Sequence, residues 1–167
     1  MESNTALIDQ MANFVNSIGI PVAFGKIPKE KEFVPGICIQ NGGLLIDRDN
    51  LLHPGDILHE AGHIAVTPSE ERANLDGVLE TNTTKSATEE MMAIAWSYAA
   101  ALHLSIDPHI VFHEHGYKGG GASLVENFSE GRYLAVPMLE WVGMTADKKK
   151  AAENGLAPYP HMISWIR

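Results

Sequence analysis

The 167-residue chain has one cysteine, no apolar run long enough to cross a membrane, and no cluster of positive charge longer than Lys148-Lys149-Lys150. Each scarcity excludes a class of protein. With Cys38 alone, no internal disulfide can form, and its apolar setting in Gly36-Ile37-Cys38-Ile39 reads as a buried, inert thiol. A net charge of −9 without a basic patch offers nothing to a phosphate backbone, so nucleic acid is not expected as a direct ligand. The start Met1-Glu2-Ser3-Asn4 is polar and acidic, with no secretory apolar core and no lipidation motif, which predicts a cytoplasmic protein without a membrane partner. Repeats and interdomain linkers are also absent. At this length, with 45% hydrophobic residues, the composition predicts a single domain over residues 1–167 around one core.

What is present is concentrated in one pentapeptide, His59-Glu60-Ala61-Gly62-His63, inside the apolar run Ile57 to Val66. Two imidazoles four residues apart lie within about 40° of one another around an α-helix and about one turn along it, so both can reach one metal ion. Glu60 projects from nearly the same side, where a carboxylate can take a proton from water without ligating the metal. The pattern points to the chemistry of a zinc hydrolase. Leu58, Ala61, Ile64 and Ala65 dock this helix into a core, and Asp56 after Pro54-Gly55 reads as its N-cap. The bland alternative is a pair of hydrogen-bonded core histidines with Glu60 at a solvent edge.

Elsewhere, Leu7, Met11, Phe14, Val15 and Ile18 predict an amphipathic helix over Thr5 to Ile18, stopped by Gly19. Ile20 to Phe24, Val34 to Gln40 and Leu44 to Asp47 are β-prone, the last two joined through Asn41-Gly42-Gly43, which predicts a small antiparallel sheet. Thr67-Pro68-Ser69-Glu70 resembles a capping start for a short helix through Leu75, broken at Asp76-Gly77, and Thr81 to Lys85 reads as loop. A second buried helix is expected from Ala87 to Leu104. The sum is an α+β domain in which the short sheet packs on the motif helix and the second buried helix. Beyond residue 105 the pattern is irregular: a Gly119-Gly120-Gly121 loop, a Leu134 to Val142 stretch, and a helix over Thr145 to Asn154 closed by Gly155.

A catalytic zinc commonly takes three protein ligands, so one more donor is required. Val66 and Ser69 stand where a metzincin would have its glycine and third histidine, which excludes that extension. Glu89 and Glu90, at the head of the second buried helix, compete for the role. Ser86-Ala87-Thr88-Glu89 reads as a capping box that would occupy Glu89 and leave Glu90 for the metal, against the plainer reading of Glu90 as an acid favoured by the helix N-terminus.

Gly19-Ile20-Pro21-Val22, a hairpin ending in Leu44-Leu45-Ile46-Asp47, the H-E-x-G-H helix, and then Glu90-Met91-Met92-Ala93-Ile94-Ala95-Trp96-Ser97 together resemble the compact gluzincin metallopeptidases of the ImmA/IrrE type. The likeness covers roughly residues 5 to 104. It implies a zincin-like fold, zinc held by His59, His63 and Glu90, and Glu60 as general base; substrate class does not carry over with it, and a peptide or protein substrate is expected instead from the H-E-x-x-H helix and the carboxylate-headed second helix. Ile94 and Trp96 depart from the Asn and Phe of that family's second helix.

A second polar concentration, His109, His113, Glu114, His115 and Tyr117 before three glycines, is read as a loop able to close over the metal. His115 and Tyr117 are the candidates for donating to a developing oxyanion. The alternatives are incidental surface histidines, or an accessory metal site at His113 and His115. His103 reads as a helix-dipole partner or a core residue. A competing function is a metal-stabilised regulatory or interaction protein, with Trp96, Met138, Trp141, Met144 and Trp165 available as apolar contacts, although core burial is the expected fate of most of them.

Overall fold

The structure is a computed structural model that describes residues 2–31, 34–76 and 84–167. Helix α1 (Glu2–Ser17) ends where Gly19 takes a φ of +99°, and its Met11 and Val15 are fully buried. Three strands follow, β1 (Val22–Phe24), β2 (Ile37–Gln40) and β3 (Gly43–Ile46), in the spatial order β1-β3-β2. Asn41 and Gly42, both at positive φ, turn the β2-β3 hairpin, as the sequence predicts. The sheet is nevertheless mixed. The hairpin folds β3 back between its neighbours, so β3 meets β2 antiparallel and β1 parallel, where the sequence leads one to expect antiparallel pairing throughout.

Helix α2 (Asp56–Val66) carries the motif and packs against the sheet, α1 and, most extensively, α4 (Thr84–His103). Between them lies α3 (Ser69–Arg72), shorter than expected. Thr67 does not cap it: the Thr67 hydroxyl donates to the His63 carbonyl at 2.7 Å, closing α2 instead. Gly77 and Thr81–Thr83, expected as break and loop, lie outside the described residues; Thr84 and Lys85 already belong to α4. Ser86 is therefore interior to a helix and cannot head a capping box.

The last third is more helical than its sequence suggests: α5 (Pro108–Val111), a 3-10 turn at Tyr117–Gly119, α6 (Gly121–Ser129), α7 (Val136–Trp141) and α8 (Lys148–Asn154). Asp147 caps α8 through the Lys150 amide, and Gly155 ends it in the left-handed region. α4 forms the spine on which these elements meet. Ala93, Ala95, Ala100, Ala101 and Trp96 are fully buried along it, the Tyr159 hydroxyl donates to the Ala95 carbonyl at 2.8 Å, and the Trp96 indole donates to the Trp165 carbonyl at 3.0 Å. Of the apolar residues considered for a contact surface, Trp96 and Met144 are core, Met138 and Trp165 are half-buried, and Trp141 is 90% exposed. Cys38 is buried, as expected. No helix among the described residues is long and apolar enough to cross a membrane.

Candidate metal centre

Nine of the eleven residues of α2 are buried, and the two that are not are His59 and Glu60. The helix is closed at its C-terminus by the adjacent Thr67 and by Arg167, which is remote in sequence. Its last four carbonyls, which have no partners within the helix, are all taken: His63 by the Thr67 hydroxyl, Ile64 by the Thr67 amide, Ala65 by the Arg167 amide at 2.9 Å, and Val66 by the Arg167 guanidinium at 3.4 Å. Arg72 donates in turn to the Arg167 carbonyl. At the other end, Asp56 is not the cap the sequence suggests. Gly55 holds that position without a side-chain bond, and the Asp56 carboxylate instead meets His113 Nε2 at 3.0 Å.

α2 and α4 approach closely at Gly62, and this brings Glu90 across to the two motif histidines. His63 Nε2 lies 3.1 Å from His59 Nε2 and 2.9 Å from Glu90 Oε2, while His59 Nε2 lies 3.5 Å from Glu90 Oε1. Zinc bonds of about 2.0–2.2 Å would set tetrahedral donor atoms about 3.3–3.5 Å apart. The observed triangle matches that spacing to within about half an ångström, and its donor set, two imidazoles and a carboxylate, suits zinc. Of the two competing glutamates, it is Glu90 whose carboxylate joins the histidines.

Burial and neighbouring charges act differently on each of these groups. Burial, with help from the charge of His63, pulls the His59 pKa down to about 4, so its ring is neutral and keeps a lone pair. Burial acts the same way on His63, but there the hydrogen bond to Glu90 and the charges of Glu60 and Glu90 outweigh it and the pKa is raised. At Glu90, burial favours the neutral acid and is overcome by the His63 hydrogen bond and the charges of both histidines, leaving a carboxylate. Burial pushes Glu60 up to about 7, reinforced by Asp56 and Glu90 and opposed by His63.

Tyr117 reaches the centre from the opposite side of the His59 ring, its hydroxyl 3.0 Å from Nδ1. If Nε2 is the metal ligand, Nδ1 must carry the proton and donates it to the tyrosine oxygen, fixing ring orientation and tautomer. Both Tyr117 (φ 53°) and Lys118 (φ 55°) occupy the left-handed region, a costly backbone for two side-chain-bearing residues in succession. Ring contacts to Phe112 at 5.1 Å and His59 at 5.3 Å help hold it. Beside this contact, a shallow groove of about 370 Å³ runs from Glu90 past Tyr117, Ile94 and Leu124 to Asn127.

His115 is not brought to this centre. It is largely exposed and groups with His53 and His113, next to the N-terminus of α2. His103 ends α4 as a surface residue whose ring rests against Phe14 and Trp165, a dipole position rather than a core one. Sequence reasoning missed two contributors. Asp56 was masked by its resemblance to a cap, and His53 sits in a loop with no periodicity to mark it. Compared with protein-family models, with curated proteins and with solved structures, the chain matches none.

Proposed function

We propose that the chain is a cytoplasmic zinc-dependent hydrolase of the compact gluzincin kind, a peptidase in the first instance, with Glu60 as general base. One observation carries this reading: the two Nε2 atoms of His59 and His63 and the Glu90 carboxylate converge at tetrahedral spacing beside a half-buried glutamate that is not part of the triad. Zinc held by that triad supplies a Lewis acid that acidifies water and polarises a carbonyl.

The remaining tasks fall to this chain's own side chains. The Glu60 carboxylate accepts the proton of the attacking water and delivers it to the leaving nitrogen, and a carboxyl poised near neutrality serves both directions. Tyr117 holds His59 in register. Burial raises the pKa of its hydroxyl well above the ordinary tyrosine value, so it keeps its own proton to offer to a carbonyl oxygen in the groove. The apolar side chains of Ile94 and Leu124 give an extended peptide a surface to lie on.

The test is Glu60→Gln assayed on a mixture of fluorescence-quenched peptides. Zinc stoichiometry is expected to stay as in the wild type while turnover falls by about 10²-fold or more. Equal cleavage by the variant and the wild type would sink the mechanism. If the wild type cuts nothing and chelation unfolds it, zinc serves the fold, and the competing interaction protein becomes the better reading.

A further inference from the structure

The histidines left over from the first centre form a cluster of their own. His53, from the loop ahead of α2, stacks on His113 with ring centroids 3.8 Å apart and planes 13° apart, and the His115 ring lies 5.3 Å from His53. One ring nitrogen from each of the three lies within 4.8 Å of the others. These residues come from two segments some sixty positions apart in sequence, so no local preference for a turn accounts for their meeting.

The decisive detail is at His113. Its Nε2 faces the Asp56 carboxylate at 3.0 Å, and Asp56 is only 8% exposed. A neutral ring so placed carries its proton on Nε2, which leaves a lone pair on Nδ1. That Nδ1 is buried and has no hydrogen-bond partner among the described residues. An orphaned buried acceptor is costly. A carboxylate holding one nitrogen of an imidazole whose other nitrogen is free is also the arrangement that orients a histidine toward a metal and raises its basicity.

We propose that His53, His113 and His115 form a second divalent-cation site, selective for imidazole-loving ions such as zinc, with Asp56 as the carboxylate that orients His113. The donors are three imidazoles and the arrangement is open to solvent at His115, so water completes the coordination. The nearly parallel rings of His53 and His113 aim their in-plane lone pairs side by side, so they must tilt apart to converge on one ion. The second site is therefore weaker than the first. Its occupant would tie the loop at His53 to the segment that carries Tyr117, and so steady the hydroxyl that holds His59.

The experiment is a calorimetric zinc titration of the metal-stripped full chain and three variants. The wild type is expected to take up two equivalents of unequal affinity. His115→Ala and His53→Gln should each weaken the weaker equivalent about tenfold or more and leave the tighter one intact, whereas Glu90→Gln should weaken only the tighter. His115 is exposed, so its removal does not threaten the fold. A second equivalent that survives both histidine variants overturns the proposal, as does a single equivalent that neither variant affects. A single equivalent lost in the His53 and His115 variants but untouched by Glu90→Gln supports the second site and overturns the first.

Discussion

Gly62 of α2 meets Ala93 of α4 at a distance that leaves little room for a side chain: a Cβ built on Gly62 lies 3.0 Å from the Ala93 carbonyl oxygen and 3.2 Å from Ser97 Oγ. Ser97 Oγ bonds both helices, donating to the Ala93 carbonyl at 2.6 Å and lying 3.3 Å from that of Leu58. The interhelical spacing is thus set by the glycine within the motif itself. It decides whether Glu90 can touch the histidines on either side.

Gly62→Ala should separate metal binding from stability. Alanine gains about 1 kcal/mol of helix propensity over glycine, which offsets much of the strain of pushing the helices apart by a few tenths of an ångström. Thermal stability should shift little. Glu90 moves with α4, so zinc affinity at the first centre should fall by about tenfold, as read by competition with a chromophoric chelator. Unchanged affinity would mean that the close approach does not govern the ligand triangle.

Tyr117→Phe removes one hydroxyl and keeps the ring packed on Phe112. The loss of a single hydrogen bond should cost about 1 kcal/mol of stability. The larger effect is on His59, whose Nδ1 loses its partner: zinc affinity should drop about 10- to 100-fold, with loss of the slowly exchanging Nδ1 proton signal of His59. An unaltered zinc affinity and an unaltered His59 proton signal would remove Tyr117 from the centre.

Glu60 should cost the metal-free protein stability as pH rises toward neutrality. A carboxyl whose folded pKa lies above its unfolded value stabilises the fold while protonated, so the Glu60 contribution is complete below about 4.5 and lost as pH passes about 7. By that shift the contribution is up to about 3 kcal/mol. His63, also raised, changes stability in the same direction and His59, lowered to about 4, in the opposite one, so the informative quantity is the difference between wild type and Glu60→Gln. Urea unfolding in chelator at pH 5 and pH 8 should give a steeper loss for the wild type. Parallel curves would mean that Glu60 titrates as an ordinary surface acid.

The parts of this molecule that sequence reveals are those encoded by short spacings. His59 and His63 share a helix face by arithmetic, and the apolar residues around them say that the helix is buried. Glu90 was reachable because it lies in the early turns of a second helix whose sequence predicts burial, although that helix starts three residues before the predicted Ala87. What sequence withheld depends on partners far along the chain. Asp56 carries a cap's local signature, yet its carboxylate is claimed by His113, 57 residues away. The pairing of β1 with β3 is parallel because of where the hairpin lands, which neither strand encodes. α6 was missed because it begins at Gly121, the last of three glycines that read as loop.

The closure of α2 by Thr67 and Arg167 ties the readiness of the candidate metal centre to the order in which the polypeptide appears. While a nascent chain lacks residues 165–167, the carbonyls of Ala65 and Val66 have no protein donor and Trp96 has no acceptor in the Trp165 carbonyl. The turn that carries His63 therefore stays open to fraying until residues 165–167 have been made. A helix nucleated early thus becomes a finished ligand platform only late, and a cation arriving before then would find one of its two imidazoles on loosely held backbone.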